Sequence, residues 1–477
     1  MGGKFQITDV GLICKEFSKT KLIELCLDKS GVQTGPFGSL LHKKDYVEVG
    51  TPIITVEHLG DNVIEIGPET PKVSDADRER LIKFQLMEGD IVFSRVGSVD
   101  RRAYVSSNEN GWLFSGRCLR VRVDKNKINP KYLSYFFGFE GFKKYIRGIA
   151  VGATMPSINT KILSEIDVYY PSYNQQTTIV KYLSAIEQKI QVCRNTNKTL
   201  EQMAQALFKS WFVDFDPVID NALAAGNSIP DELQERAELR QQVIAERTTN
   251  PKLKPLPDDI QHLFPSEFEE SELGWIPKGW ESLSIHDLVD SVSITYKLKE
   301  VDEVIFLNTG DIEDGKLLHK NYSKTEGLPG QAKKSIVKGD ILYSEIRPKN
   351  KRFALVNIDC SDYVVSTKLM VLRAKVGIDS LLPYFILTQE KTIQNLQHVA
   401  EHRSGTFPQI TFKELADVTT TLPKANMLVD YFVFNYLKPF YDKQFSSVTQ
   451  NDQLEKLRDT LLPKLISGEL KINRDVA

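Results

Sequence analysis

The sequence predicts an α+β protein made of two tandem-repeated mixed α/β domains, each followed by a long helix, the two helices forming an antiparallel intramolecular coiled coil. Three observations predict it. The first is an internal duplication: Glu88-Gly89-Asp90-Ile91-Val92-Phe93-Ser94 returns as Lys338-Gly339-Asp340-Ile341-Leu342-Tyr343-Ser344, an offset of 250 (341 − 91). Thr154-Met155-Pro156-Ser157-Ile158 returns as Thr406-Phe407-Pro408-Gln409-Ile410, offset by 252 (408 − 156), and Asn197-Lys198-Thr199-Leu200 answers Asn451-Asp452-Gln453-Leu454, offset by 254 (451 − 197). An offset this steady across more than a hundred residues marks a tandem duplication of one module, large enough in each copy to hold its own core. The second observation is a switch from strand-like to helical periodicity within each copy, and the third is a heptad seam in each helix.

The strands come first along each copy. Thr51 to Val56, Asp90 to Phe93 and Leu119 to Val123 are short, β-branched runs bounded by glycine or charge, and Val304 to Leu307, Asp340 to Tyr343 and Lys368 to Leu372 hold comparable places in the second copy. After Val168-Tyr169-Tyr170-Pro171 and Thr420-Thr421-Leu422-Pro423 the spacing becomes helical. In the first helix Ile179, Leu183, Ile186, Ile190, Cys193, Asn197, Leu200, Ala204, Leu207 and Trp211 advance by alternating steps of four and three. Shifted by 254, the second helix offers the weaker seam Val433, Leu437, Phe440, Gln444, Ser447, Asn451, Leu454, Arg458, Leu461 and Leu465. Antiparallel pairing with aligned midpoints sets Asn197 opposite Asn451 and Trp211 near Leu437; a buried asparagine pair costs stability and fixes register. At about 1.5 Å per residue such a rod is roughly 55 to 60 Å long.

The expected organisation is a first mixed domain at 1–173, a first long helix at 174–213, a connector at 214–272, a second mixed domain at 273–425, and a second long helix with the tail at 426–477. The connector differs from both copies. It carries Asp216-Pro217, Gly226-Asn227-Ser228-Ile229-Pro230, a charged helix-like run from Asp231 to Arg247, then Pro251, Pro255 and Pro257 and an acidic stretch from Glu267 to Glu272.

Composition narrows the class less than the repeat does. The chain has 477 residues, 41% hydrophobic and 26% charged, which suits a globular protein of two or more domains. Cys14, Cys26, Cys118, Cys193 and Cys360 are scattered without a CxxC pair, arguing against a zinc site or a disulfide framework and for a reducing cytoplasm. No metal site is expected. Neither a signal stretch nor an apolar run of membrane-spanning length is evident, so no membrane role is expected. The formal net charge of −2 lowers the odds of nucleic-acid binding without closing the question, since basic loops can be balanced by acidic helices.

Two similar domains at opposite ends of an antiparallel rod have the approximate two-fold symmetry of duplex DNA read at two half-sites. The residues suited to reading cluster near the repeated landmarks. The first copy has Lys43 and Lys44, then Arg95, Gly97, Ser98, Arg101 and Arg102 after a strand, then Arg147 ahead of Thr154 and Ser157. The second has Arg347, Lys349, Lys351 and Arg352, then Arg403, Thr406 and Gln409. Arginine and lysine suit phosphates and guanine edges, and asparagine and glutamine suit adenine. Each basic loop alone reads as solvated surface; recurrence at matched positions favours DNA.

Several segments resemble type I restriction-modification specificity subunits: GPFGSLL (Gly35 to Leu41), GDIVFSRVGS (Gly89 to Ser98), ALFKSWFVDFDPV (Ala206 to Val218), ELGWIPKGWE (Glu272 to Glu281) and LRDTLLPKLISGEL (Leu457 to Leu470). The resemblance covers essentially the whole chain. It implies that each variable domain is a target recognition domain and that the helices are spacers separating two half-sites of a bipartite, asymmetric DNA site. It also implies two methyltransferase subunits that modify adenine with S-adenosylmethionine, and a nuclease-translocase using ATP and Mg for restriction. The second copy opens with Ile276-Pro277-Lys278-Gly279-Trp280, whereas the first starts Met1-Gly2-Gly3-Lys4-Phe5 without that signal, which leaves the first domain's start undefined. Phe208, Trp211, Phe212, Leu461 and Leu465 at the helix ends are expected to offer apolar surface to the partner subunits.

Catalysis by the chain itself is not expected. Asn129-Pro130-Lys131-Tyr132 imitates the Asn-Pro-Pro-Tyr stretch of amino-methyltransferases, but its third position is wrong, Asp379 to Leu382 lacks it, and no glycine-rich cofactor loop follows a strand. A turn and helix start explains it better. Asp167 with Glu187-Gln188-Lys189 is a weak nuclease candidate, because the latter three flank seam position Ile186 as ordinary charges. The remaining alternatives are a two-headed coiled-coil scaffold for proteins or glycans, and a stand-alone DNA-binding regulator.

Overall fold

The structure is a computed structural model that describes residues 4–36, 40–247, 249–250, 253–272, 274–403, 406–424 and 427–471. Positions 37–39 of the GPFGSLL motif, Pro251 of the connector, Leu273 of ELGWIPKGWE, and Ser404 and Gly405 beside Arg403 lie outside the described residues. The chain divides into two compact units, one of Met1–Arg194 with Val448–Ala477 and one of Asn195–Ser447.

In the first unit the central sheet is antiparallel, with strands ordered Val32–Thr34, Cys118–Val121, Ile91–Ser94, Arg102–Tyr104. The middle strands Ile91–Ser94 and Cys118–Val121 are buried along their whole length, because apolar layers cover both faces. A smaller sheet runs Leu113–Phe114, Thr51–Ile54, Lys72–Val73, Tyr46–Val47. Helices Pro130–Gly138 and Glu140–Ile149 place Tyr132, Phe136, Phe137, Phe142 and Ile146 in the core. A ribbon pairs Ser18–Lys21 with Asp167–Tyr170 and carries the chain into the long helix.

The second unit repeats this plan. Its central sheet runs Val289–Val292, Leu369–Ala374, Ile341–Ser344, Phe353–Leu355, all antiparallel, and Trp280–Ser284 pairs with Thr419–Pro423 as the ribbon. The N-terminal hairpin Phe5–Thr8 with Gly11–Cys14 has its counterpart in Phe268–Ser271 with Gly274–Pro277. The first copy therefore has the same opening element without the Pro-Lys-Gly-Trp sequence, and Phe17, just before its ribbon strand, packs on its core as Trp280 does in the second unit.

The connector is more ordered than an extended linker. Helices Asp216–Ala225 and Gln234–Glu246 are clamped side by side, Arg236 donating two hydrogen bonds of 2.7 Å to Asp216 and Arg240 two of 2.8 and 2.6 Å to Asp220. Phe215, Val218, Ile260 and Phe264 join the core of the second unit.

The long helices span Tyr173–Phe208, closing in a π-turn over Lys209–Val213, and Met427–Phe432 through a π-turn at Val433–Leu437 into Lys438–Ser467. Within the first unit Ile179 and Leu183 share a core with Leu462, Leu465 and Ile466, while Arg194 meets Glu455 at 2.8 Å and the Cys193 thiol donates to Gln450 Oε1 at 3.3 Å. Within the second, Ala204, Phe208 and Trp211 share a core with Phe432, Leu437 and Phe440. Residue numbers rise on one helix as they fall on the other, so the pairing is antiparallel in each unit. Every expected seam position is buried or half-buried.

The Oδ1 atoms of Asn197 and Asn451 are both buried with no hydrogen-bond partner, and Trp211 shares a core with Leu437, with Phe212, Phe264, Tyr431, Phe432 and Tyr436 as its aromatic neighbours. One expectation is corrected. The apolar residues expected to face partners point inward instead. Phe208, Trp211, Phe212 and Leu465 are buried and Leu461 is half-buried against the first unit's core, because the helix ends seat the recognition domains.

Candidate nucleic-acid interface

Each unit builds its candidate reading surface on the duplicated Gly-Asp turn. Gly89 and Gly339 adopt φ of +98° and +94°, a left-handed conformation open to glycine, and turn the chain into the central strand. The following aspartates are fully buried. Asp90 Oδ2 accepts from the Met87 amide at 2.8 Å and the carboxylate takes a two-pronged grip from Arg122 at 2.8 and 2.7 Å. Asp340 repeats it with the Val337 amide at 2.8 Å and Arg373 at 2.8 and 2.9 Å. The strand ends at Ser94 or Ser344, whose hydroxyl donates to the carbonyl of Val96 or Ile346 and bends the chain into the basic loop.

That loop is joined to the second landmark by main-chain hydrogen bonds, in both units alike. In the first, the Gly97 amide donates to Pro156 O at 2.8 Å and the Ile158 amide to Arg95 O at 3.0 Å, with Val96 bridging Ser157. In the second, the Arg347 amide donates to Pro408 O at 3.0 Å and the Ile410 amide to Glu345 O at 2.8 Å, with Ile346 bridging Gln409. The result is a two-loop platform that brings Arg95, Gly97 and Ser98 together with Thr154 and Ser157, and Arg347 and Lys349 together with Thr406 and Gln409. Thr154, Gly97, Ser98, Arg347, Lys349, Thr406 and Gln409 are exposed on it. Arg347 and Lys351 are left-handed at φ +45° and +52°, local strain held by the short turn Pro348–Asn350 between them. Met155 and Phe407, beside the prolines of the platform, stand 63% and 70% exposed.

Other candidates have structural employment. Arg102 is 3% exposed: its Nε donates to Ser134 O at 2.8 Å and Nη1 to Asp61 at 3.4 Å, and Gly138 leaves the space, since a Cβ there would lie 1.8 Å from Nη2. Burial lowers the affinity of that guanidinium for its proton, and Asp61 opposes the effect. Arg102 is thus removed from the reading set. Arg101 donates twice to Leu59 O, Arg352 donates to Ile312 O at 2.9 Å and Gly310 O at 3.2 Å, and Lys351 pairs with Glu390 at 3.0 Å. Arg403 pairs with Glu414, and Arg147 is held between Asp100 and Glu140. Lys43 and Lys44 sit exposed on the short turn Lys43–Asp45, apart from the two-loop hydrogen bonding.

The weak catalytic candidates are explained by packing. Asn129 caps helix Pro130–Gly138 by accepting from the Lys131 and Tyr132 amides. Asp167 pairs with Lys19 and Lys21 at 2.9 and 2.8 Å, and Glu187 accepts from Tyr135 at 2.7 Å and Asn62 at 3.2 Å. Beside Glu187 lies a charged cavity of about 330 Å³ lined by Asp61, Arg102, Glu140, Lys143 and Arg458. Asp61 Oδ2 meets Arg458 at 2.9 Å. Among the described residues no group of three or more His, Cys, Asp or Glu is arranged to hold a metal, and no helix is long and apolar enough to cross a membrane.

The fold repeats one module, with its own two-loop platform, in each of the two units. Comparison with known proteins gives the family. The sequence matches the type I restriction modification DNA specificity domain at residues 36–202 and 277–456. It is 38% identical over 185 residues to the Type I restriction enzyme HindI specificity subunit of Haemophilus influenzae, a match covering 38% of this chain and 39% of that relative. It is 22% identical over 470 residues to the Type I restriction enzyme MjaIX specificity subunit of Methanocaldococcus jannaschii, covering 98% and 97%. The fold is similar to the crystal structure of the type I restriction-modification S subunit from M. genitalium, with a TM-score of 0.51 at 14% identity over 94% of this chain and 96% of that one. The chain belongs to the type I restriction-modification DNA specificity domain family, whose members are non-catalytic recognition subunits.

Proposed function

We propose that this chain reads a bipartite, asymmetric double-stranded DNA site, one half per recognition domain, and positions two methyltransferase subunits for adenine methylation and a nuclease-translocase for restriction. The observation that carries the reading is the recurrence of one hydrogen-bonded two-loop platform in both units, with different side chains on each. The same scaffold with different readers is what an asymmetric split site requires. S-adenosylmethionine would be held by the methyltransferases, and ATP and Mg by the nuclease-translocase. The division suits the chemistry, because a base must be extruded into a partner's pocket while the duplex is gripped elsewhere. A cytoplasmic location follows from that role.

Candidate readers in the first unit are Arg95, Gly97, Ser98, Thr154 and Ser157, with Lys43 and Lys44 as phosphate contacts. In the second they are Arg347, Lys349, Thr406 and Gln409, with Arg403 reachable if it leaves Glu414. The test is a methylome: co-express the chain with its methyltransferase in a host lacking other methylation and map modified adenines. One split motif with a fixed gap, dependent on the chain, is the expected result. Methylation unchanged when the chain is omitted would refute it.

A further inference from the structure

We infer that Met155 and Phe407 are apolar base-contacting residues, each projecting from its platform into the base edges of its own half-site and contributing to sequence discrimination there. The inference rests on the DNA-recognition reading and adds to it a pair of residues and a contact chemistry that charge and hydrogen-bonding arguments do not supply.

Four observations carry it. The residues are equivalent, 252 apart (407 − 155), and each precedes the proline whose carbonyl accepts the hydrogen bond from the basic loop. Each is largely exposed despite being apolar. Isolated exposed hydrophobics are ordinary, but here the same position on the same supported loop keeps a large flexible or aromatic side chain in both copies. The first loop is also tethered at its base: the Val151 amide donates to Ser157 O at 2.9 Å and the Ser157 amide to Val151 O at 2.8 Å, enclosing Gly152 to Pro156. Finally, the main-chain hydrogen bonds join each of these loops to a basic loop, the one carrying Arg95 in the first unit and the one carrying Arg347 and Lys349 in the second, which suits polyanionic DNA.

The chemistry matches the major groove, where the thymine methyl is the one apolar feature of the base edges, and it matches base steps that accept an apolar wedge. A phosphate-facing position would call for a donor or cation instead. Because the two residues differ in shape, they also supply a difference between the two half-sites that the shared backbone cannot.

The experiment is the methylome of the intact complex carrying Met155→Ala, Phe407→Ala or Phe407→Leu. Alanine at 407 is expected to relax one or two adjacent positions of one half-site, cutting discrimination there by about tenfold or more, and to leave the other half and the gap unchanged. Alanine at 155 does the converse, and leucine at 407 retains most of the preference. The unchanged half reports in the same sample that the subunit is folded and assembled. Motifs identical to the parent in both halves, or a uniform fall in methylation without a motif change, would overturn the inference while leaving the recognition reading intact. If the unsubstituted complex shows no chain-dependent motif, the recognition reading fails, and this inference with it.

Discussion

Asp340 and Arg373 form a two-pronged ion pair at 2.8 and 2.9 Å at the start of the strand that leads to the second platform, with the carboxylate fully buried, and Asp90 and Arg122 form its equal in the first. The pair joins the turn that launches the central strand to the neighbouring strand, and hydrogen bonding to Asp340 holds the Arg373 guanidinium more firmly protonated than usual. It fixes the start of the strand that leads into the basic loop.

Arg373→Met leaves the Asp340 carboxylate buried without its counter-ion. The expected cost is about 3 to 5 kcal/mol, read by chemical denaturation, with the second half-site lost from the methylome before the first. An unchanged denaturation midpoint would show that the pair does not support the platform.

The seam of the long helices carries buried polar atoms without partners at Asn197, Ser447 and Asn451. Replacing Asn197 or Asn451 with leucine removes an unsatisfied carbonyl and is expected to stabilise the chain by about 1 to 2 kcal/mol, seen as a rise in Tm. A fall of similar size would reveal a bond to these amides in solution.

Trp211, 1% exposed among Phe264, Phe432 and Tyr436, is core rather than contact surface. Trp211→Ala is expected to destabilise the chain by about 3 to 5 kcal/mol. Calorimetry checks it: a full-stability variant that has lost only its partners would restore the contact role.

Asp61 is half-exposed; burial works to raise its pKa, but the charges of Arg102, Arg458 and Lys143 outweigh this and hold it below the usual carboxylate value. A depressed carboxylate contributes stability that is present above its unfolded pKa of about 4 and is lost as pH falls through the lower folded value. The chain should therefore lose stability on acidification below about pH 4, and Asp61→Asn should flatten that limb of the pH profile. Parallel acid limbs for parent and variant would exclude Asp61 from the linkage.

What was legible in the sequence follows from which features demand particular side chains. A left-handed turn needs Gly89 or Gly339, a buried ion pair needs Asp90 or Asp340, and a platform proline needs Pro156 or Pro408, so duplication preserved them as readable landmarks. The opening hairpin Phe5–Cys14 is held by main-chain pairing, which any sequence can supply, and it lacked a signal despite matching Phe268–Pro277. Arg102 reads as a loop cation because its neighbours in sequence are charged and loop-like. The groups that bury it, Asp61, Ser134 and Gly138, are remote in sequence. The helix-end aromatics read as exposed for a related reason: heptad spacing gives the face of a helix, while the ribbons and helices that cover Phe208 and Phe212 arrive from later in the chain.

The first unit closes its core with Leu462, Leu465 and Ile466, which follow the entire second unit in the sequence. A recognition module is therefore not a portable length of chain. A polypeptide stopped after the first long helix would carry an open apolar trough along that helix, and it could be satisfied by a matching helix from another molecule. Truncation should thus favour mutual completion between copies over an isolated half, and grafting one module into another scaffold requires moving two distant segments together.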